Sequence, residues 1–230
     1  MLSDFSQLTN KLNLKFKSSN LLEQAFIHRS YLNEIKSNLT SNERLEFLGD
    51  SVLSLVVSTH LFNQRVDDAE GELTNLRAYI VKTKSLARAA KNLNLGDYLK
   101  LSKGEELGGG RDNLQLLANT YEAFLGAILL DQGLDEVKRV VEETLLNIFE
   151  KEIRSGPPKD AKSNLQEITQ EKLKESPSYK ILETKGPDHA KKFVVGVYIS
   201  KKEYGKGEGS SKQEAEEKAA TEALKKLTTN

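Results

Sequence analysis

The chain has 230 residues, with 34 Lys and Arg against 34 Asp and Glu and 37% hydrophobic residues, which is enough for one or two globular domains. It has no cysteine; that excludes disulfides and thiolate metal sites and leaves Asp, Glu, Asn, His and water as donors for any metal. The zero net charge hides a division, because residues 156–230 hold 15 basic and 12 acidic side chains and the remainder 19 and 22, so the acidic first part suits a cation and the mildly basic second part a polyanion.

Residues 5–17 read as a short amphipathic helix through Phe5, Leu8, Leu12 and Phe16, and residues 20–27 as a second. A lone His at a helix end, as at His28, is more often a packed or capping residue than a catalyst, so it is read as structural. Residues 33–42 are rich in Asn and Ser and read as a loop. Ser41 or Asn42 is expected to cap the helix that follows, which runs to about Phe62. Its apolar stripe is Leu45, Leu48, Val52, Leu55 and Val56. Glu43, Glu46 and Asp50 stand at i, i+3 and i+7, which puts them within roughly 60° of one another at about 100° per residue. A solvated salt-bridge face would alternate acids with bases. This face holds acids only, and like charges on one helical face repel, so the compensating charge must come from outside, most simply from a hard divalent cation with oxygen ligands.

After an acidic turn at 67–72, residues 73–93 read as one helix. Residues 99–111 form a glycine-rich connection; it lacks the Gly-Lys-Ser/Thr ending of a phosphate-cradling loop. Leu114 to Leu130 is strongly helical, with Leu117, Tyr121, Phe124, Leu125, Ile128 and Leu129 apolar and Asn119 and Glu122 sharing a face. Residues 134–153 read as the last helix of the first part. Pro157 and Pro158 stop any helix from crossing the linker. From 163 the order changes to helix, strands 179–185, 193–200 and 201–208, and a final helix capped by Ser211. Ser163 and Gln166 have capping-box spacing.

The string Asn42-Glu43-Arg44-Leu45-Glu46-Phe47-Leu48-Gly49-Asp50-Ser51-Val52-Leu53 resembles the signature motif of the ribonuclease III family. Glu70-Gly-Glu-Leu-Thr-Asn-Leu-Arg-Ala and the stretch Leu117 to Asp131 resemble its neighbouring segments. Gly186-Pro187-x-His189-x-x-x-Phe193 with Gly207-x-Gly209-x-Ser211-Lys212 resembles a double-stranded RNA-binding domain. The resemblance implies an α+β chain: an all-α nuclease domain at 1–154, a linker at 155–162 and an α-β-β-β-α RNA-binding domain at 163–230. It implies Glu46, Asp50, Asn119 and Glu122 as metal positions, with Asp50, Glu122, Glu43 and Glu70 as catalytic acids and the last two in outer positions. The cofactor is Mg²⁺, with Mn²⁺ able to substitute. The activity is endonucleolytic hydrolysis of double-stranded RNA, leaving 5′-phosphates and two-nucleotide 3′ overhangs, in the processing of rRNA and mRNA. Gln166, Glu167, Pro187, His189, Ser211 and Lys212 are expected against the duplex, through two minor grooves and the phosphates between them. A homodimer is expected, with Phe47 at its interface.

Asn119 departs from the family, most of whose members carry Asp there, as does Gln115, where Ser is frequent. The departure keeps a second reading open, an RNA-binding protein on a catalytically weakened nuclease scaffold. Gln213 and Glu216, where many such RNA-binding domains carry Lys, point to a weaker grip on phosphates. No apolar run approaches the roughly 20 residues of a membrane span, and residues 1–10 show no secretory pattern, so no membrane partner and a cytoplasmic location are expected.

Overall fold

The structure, a computed structural model, describes residues 4–35, 38–156, 160–187 and 191–228. The chain divides into two compact units, residues 1–157 and 158–230.

The first unit is helical: α1 (Ser6–Lys11), α2 (Ser19–Gln24), α3 (Arg29–Leu32), α4 (Glu43–Gln64), α5 (Glu70–Val81), α6 (Thr83–Asn92), α7 (Leu95–Tyr98), α8 (Lys103–Leu107), α9 (Leu114–Gln132), α10 (Leu134–Thr144) and α11 (Glu150–Ser155), with 3₁₀ turns at Gly110–Asp112 and Leu146–Phe149. The axis is α9. It is apolar nearly all round, and such a helix is stable only when enclosed; Leu117, Ala118, Tyr121 and every residue from Ala123 to Ile128 are buried. The α4, α6 and α10 helices pack on it. The Tyr121 hydroxyl reaches Thr144 at 2.7 Å, so this fully buried phenol is satisfied.

The long helix expected at 73–93 is two. At Lys82 the backbone is extended, with ψ 151°, and the chain turns so that α5 packs on α4 while α6 packs on α9. No Gly or Pro marks the break. The β-branched run Ile80-Val81 and Thr83 weakens helix there, and the Ser85 hydroxyl stabilises the turn by donating to the Tyr79 carbonyl at 3.1 Å. The first helix is shorter than expected: α1 ends at Lys11, and Asn13 takes a left-handed φ of 49° that closes it. The glycine-rich connection contains α8, whose Ser102 cap accepts from the Glu105 amide at 3.2 Å. The expected cap of α4 is also corrected. Asn42 holds the N-cap position but makes no capping bond; it is buried and donates to the Ala25 carbonyl at 3.3 Å.

α4, at 22 residues, is long and apolar enough to cross a membrane by length and composition, contrary to the sequence expectation that no such run is present. Its buried members Leu45, Gly49, Val52, Leu53, Val56, Val57 and Leu61 form the core face against α9, the position of a globular core helix.

The second unit is α12 (Ala161–Leu173), β1 (Ser178–Lys185), β2 (Lys192–Ile199), β3 (Lys202–Gly209) and α13 (Lys212–Thr228). The strands form an antiparallel sheet in the order β1-β2-β3. Leu165, Val197, Ile199, Ala219, Ala220 and Ala223 make its core. α13 lies close on β3 because small residues meet there: a Cβ at Gly207 would stand 2.2 Å from the Ala215 carbonyl oxygen. α12 starts two residues before the expected Ser163. Asp160 is its cap, accepting from the Ser163 amide at 2.9 Å, and its negative charge suits this end of the macrodipole.

Candidate active site and RNA-binding surface

Two glycines build the first site. A Cβ at Gly49 would lie 1.8 Å from the Glu122 carbonyl oxygen, and one at Gly126 would lie 2.2 Å from that of Leu45. α4 and α9 therefore cross backbone to backbone. The crossing faces Glu46 and Asp50 of α4 toward Asn119 and Glu122 of α9 across a cavity of about 630 Å³, which Glu43, Phe47, Gln115, His28 and Arg29 also line.

The charge in this cavity is unbalanced. Burial pushes the Glu122 carboxyl up to about 8, and the charges of Asp50 and Glu46 push the same way. The Glu46 carboxyl is raised by burial and by Glu43, with a hydrogen bond from Asn119 drawing it partly back. The cation beside these acids is Arg29, which pairs with Glu43 at 3.5 Å at the exposed edge. The four positions offer three carboxylates and one amide, an all-oxygen set that fits Mg²⁺ or Mn²⁺, which fill the rest of their shells with water and phosphate oxygens. The carboxylates line the cavity rather than converge: among the described residues no three His, Cys, Asp or Glu side chains form a ready-made cage.

Asn119 is held at both ends. Gln115 Nε2 donates to its Oδ1 at 2.7 Å, and its side chain also hydrogen-bonds Glu46, so its amide group donates to the carboxylate and its oxygen accepts. His28 is the cap of α3, its Nδ1 lying 2.8 Å from the Ser30 hydroxyl. Chiefly through burial, its ring is held below the ordinary histidine value.

Glu70 does not join this group within the chain. It lines a separate cavity of about 440 Å³ with Ser58, Phe62, Leu73 and Arg77 and accepts from the Thr74 hydroxyl at 2.9 Å. Phe47 lies at the rim of the acidic cavity and is 77% exposed; Leu55 and Phe62 on the same helix are exposed at 54% and 70%. Sequence reasoning missed Arg29, the bond from Gln115 to Asn119, and the crossing glycines. Gly in a helix interior costs about 1 kcal/mol relative to Ala, so Gly49 and Gly126 were readable as close-packing positions.

In the second unit, Gln166 and Ser211 line one cavity of about 660 Å³ with Ser163, Tyr179 and Gln213, between the starts of α12 and α13. Glu167 is exposed on α12, Lys212 on the first turn of α13, and Pro187 just beyond β1; His189 lies outside the described residues. Ser211 accepts from the Glu214 amide at 3.2 Å, capping α13 as expected. Glu216 pairs with Lys162 at 2.5 Å. The Tyr179 hydroxyl is enclosed without a hydrogen-bond partner among the described residues, and its pKa is pushed up to about 12, by burial and then by Glu216, Glu217 and Asp160.

A helical unit with opposed carboxylates, followed by an α-β-β-β-α unit with both helices on one sheet face, defines a nuclease that carries its own RNA-binding module. Residues 18–149 match the Ribonuclease-III-like family and residues 161–227 the double-stranded RNA binding motif. The chain is 48% identical to Ribonuclease 3 of Syntrophomonas wolfei over 92% of its own length and 90% of that relative, and 46% identical to Ribonuclease 3 of Caldanaerobacter subterraneus over 96% of each. The nuclease domain of ribonuclease III from Campylobacter jejuni, a structure described for flexibility in its dimer-forming region, aligns with a TM-score of 0.59 and 41% identity over 64% of this chain and 99% of that one. This chain belongs to the ribonuclease III family and is an endoribonuclease of that family with a double-stranded RNA-binding domain.

Proposed function

We propose that the chain acts as a divalent-cation-dependent homodimer that hydrolyses both strands of double-stranded RNA, leaving 5′-phosphates and two-nucleotide 3′ overhangs, in the processing of rRNA and mRNA precursors in the cytoplasm. The observation that carries the reading is the concentration of Glu46, Asp50 and Glu122 around one cavity whose cation among the described residues, Arg29, pairs with Glu43 at the exposed edge. Glu46, Asp50, Asn119 and Glu122 are the residues to hold Mg²⁺, which when bound supplies polarisation of the scissile phosphate and acidification of the attacking water. Glu43 orients the entrance through Arg29, and Arg29 offers a guanidinium to an incoming phosphate. Gln115 fixes Asn119. The second unit supplies the sequence-tolerant grip on the duplex through Gln166, Glu167, Pro187, His189, Ser211 and Lys212.

Dimerisation is supported by the exposed apolar residues Phe47, Leu55 and Phe62 on α4, a row that a single chain leaves in water. Glu70 lines the cavity beside Phe62, so its outer role belongs to an assembled dimer rather than to the single chain. A second reading, RNA binding without efficient cleavage, is favoured by the engagement of Asn119 with Gln115 and Glu46. Long duplex RNA incubated with Mg²⁺ and run on a denaturing gel beside a single-stranded control separates the two. Duplex-specific fragments with ligatable 5′-phosphates support the first reading; intact duplex that is nonetheless retarded on a native gel supports the second.

A further inference from the structure

From Leu73 to Gly96 the chain has no acid but five cations, Arg77, Lys82, Lys84, Arg88 and Lys91, inside a unit whose acids otherwise exceed its bases. α6 buries Ser85, Leu86, Ala87, Ala89 and Ala90 and leaves Lys84, Arg88 and Lys91 exposed. Their i, i+4, i+7 spacing puts all three within roughly 60° on one face. Lys11 extends the row, its Nζ donating to the Asn92 carbonyl at the end of α6 at 2.7 Å.

Helix chemistry accounts for only part of the row. Lys91 and Lys11 sit at the C-terminal end, where the macrodipole favours cations, and Lys91 has an exposed partner in Asp112 at 3.7 Å. Lys84 is the second residue of α6, where the macrodipole opposes a cation. With no acid within the helix, neither Lys84 nor Arg88 has the i, i+4 partner that would make it locally stabilising. Among the described residues neither side chain takes part in a hydrogen bond or ion pair, so their charges do no evident work in the fold.

We infer that the outer face of α6 is a docking surface for the phosphate backbone of duplex RNA, a second contact outside both the acidic cavity and the RNA-binding domain. The inference rests on duplex RNA being the substrate. The row from Lys84 to Lys91 covers about 10 Å at 1.5 Å per residue, the axial length of about three successive phosphates of one strand. α6 is a rigid platform because its inner face is packed on α9, so three charges are presented in fixed register at low entropic cost.

The test uses the full chain with Lys84→Gln, Arg88→Gln and Lys91→Gln combined, duplex RNA of about 40 base pairs, and fluorescence anisotropy in EDTA across a KCl series. The expected result is an affinity about tenfold lower at moderate salt and a log–log salt slope shallower by about 2–3, one step of about 0.9 per lost phosphate contact. A control with Lys138, Lys151 and Arg154 changed to Gln, on α10 and α11, should keep the wild-type slope. An unchanged slope in the α6 variant overturns the inference and leaves the face to an acidic partner other than RNA; an equal change in the control overturns it as general electrostatics. Failure of the unmodified chain to bind duplex RNA at any salt would instead refute the substrate reading itself.

Discussion

Glu46 and Glu122 are held against their own preference, and Glu122 shows it most. Its folded carboxyl lies near 8 against an ordinary 4.5. Between those values the unfolded chain has released the proton and the folded one retains it, so the native state binds more protons and stability falls as pH rises through this window. In EDTA, Glu122→Gln should therefore melt at the same temperature as the unmodified protein near pH 4 and higher by ~2–4 °C at pH 8, the shift expected for on the order of 1 kcal/mol in a chain of this size. A scanning calorimetry series across pH checks this, and a variant less stable at pH 8 would show that Glu122 makes a favourable contact in its ionised form. Excess Mg²⁺ should raise the melting temperature of the unmodified protein more than that of the variant.

Asn119 poses a second question at this scale. Asp in its place brings one more negative charge, and opposite charges about 4 Å apart interact by about 4 kcal/mol at an effective dielectric near 20, part of it lost to desolvation. The same change removes the amide that hydrogen-bonds Glu46. Asn119→Asp should thus need less Mg²⁺ for half-maximal single-turnover cleavage while being less stable in EDTA. A requirement for the same or more Mg²⁺ would mean that the site works through the Gln115–Asn119–Glu46 chain of hydrogen bonds.

Among the elements, the α4–α9 crossing positions everything else in the cavity. Gly126→Ala would drive a methyl group into the Leu45 backbone, and backbone cannot swing aside as a side-chain end can. The expected cost is ~3 kcal/mol, at the upper end of overpacking, read as a lower urea midpoint. The same change at Gly71, where an added Cβ meets nothing within 4 Å, should be neutral or slightly stabilising through helix propensity. Equal effects at both positions would remove the special role of the crossing. α4 was legible in the sequence from its apolar stripe and α9 from its long apolar run, and spacing put Glu43, Glu46 and Asp50 on one face and Asn119 and Glu122 on another; that the two faces oppose each other came only from the family resemblance. The break between α5 and α6 was not legible, since tertiary packing on two different partners imposes it at Lys82 without Gly or Pro. The caps at Asn42 and Ser163 were misassigned for a related reason: several polar residues stood near each helix start, and only the fold decides which of them faces the free amides.

For the whole molecule, the exposed row on α4 is where the proposed dimer is tested. Leu55→Glu with Phe62→Glu leaves the acidic cavity untouched, since neither residue lines it, and should convert a dimer to monomers in sedimentation velocity at micromolar concentration. Unchanged sedimentation would place any interface elsewhere. The division into two units was readable from the proline linker, and the order of strands and helices in the second from the change of pattern at 163. The α6 surface was not singled out, although Lys84, Arg88 and Lys91 already share one face of the helix read over 73–93.

The central claim is that the cavity at the α4–α9 crossing is a divalent-cation site. Mn²⁺ titration of the RNA-free full chain, followed by electron paramagnetic resonance of free Mn²⁺, tests it most directly. The unmodified chain should take up Mn²⁺, and the Glu46→Gln, Glu122→Gln double variant, with the same fold by circular dichroism, should lose that uptake. Equal uptake by both proteins would contradict the account, because the cation would then be held by other residues.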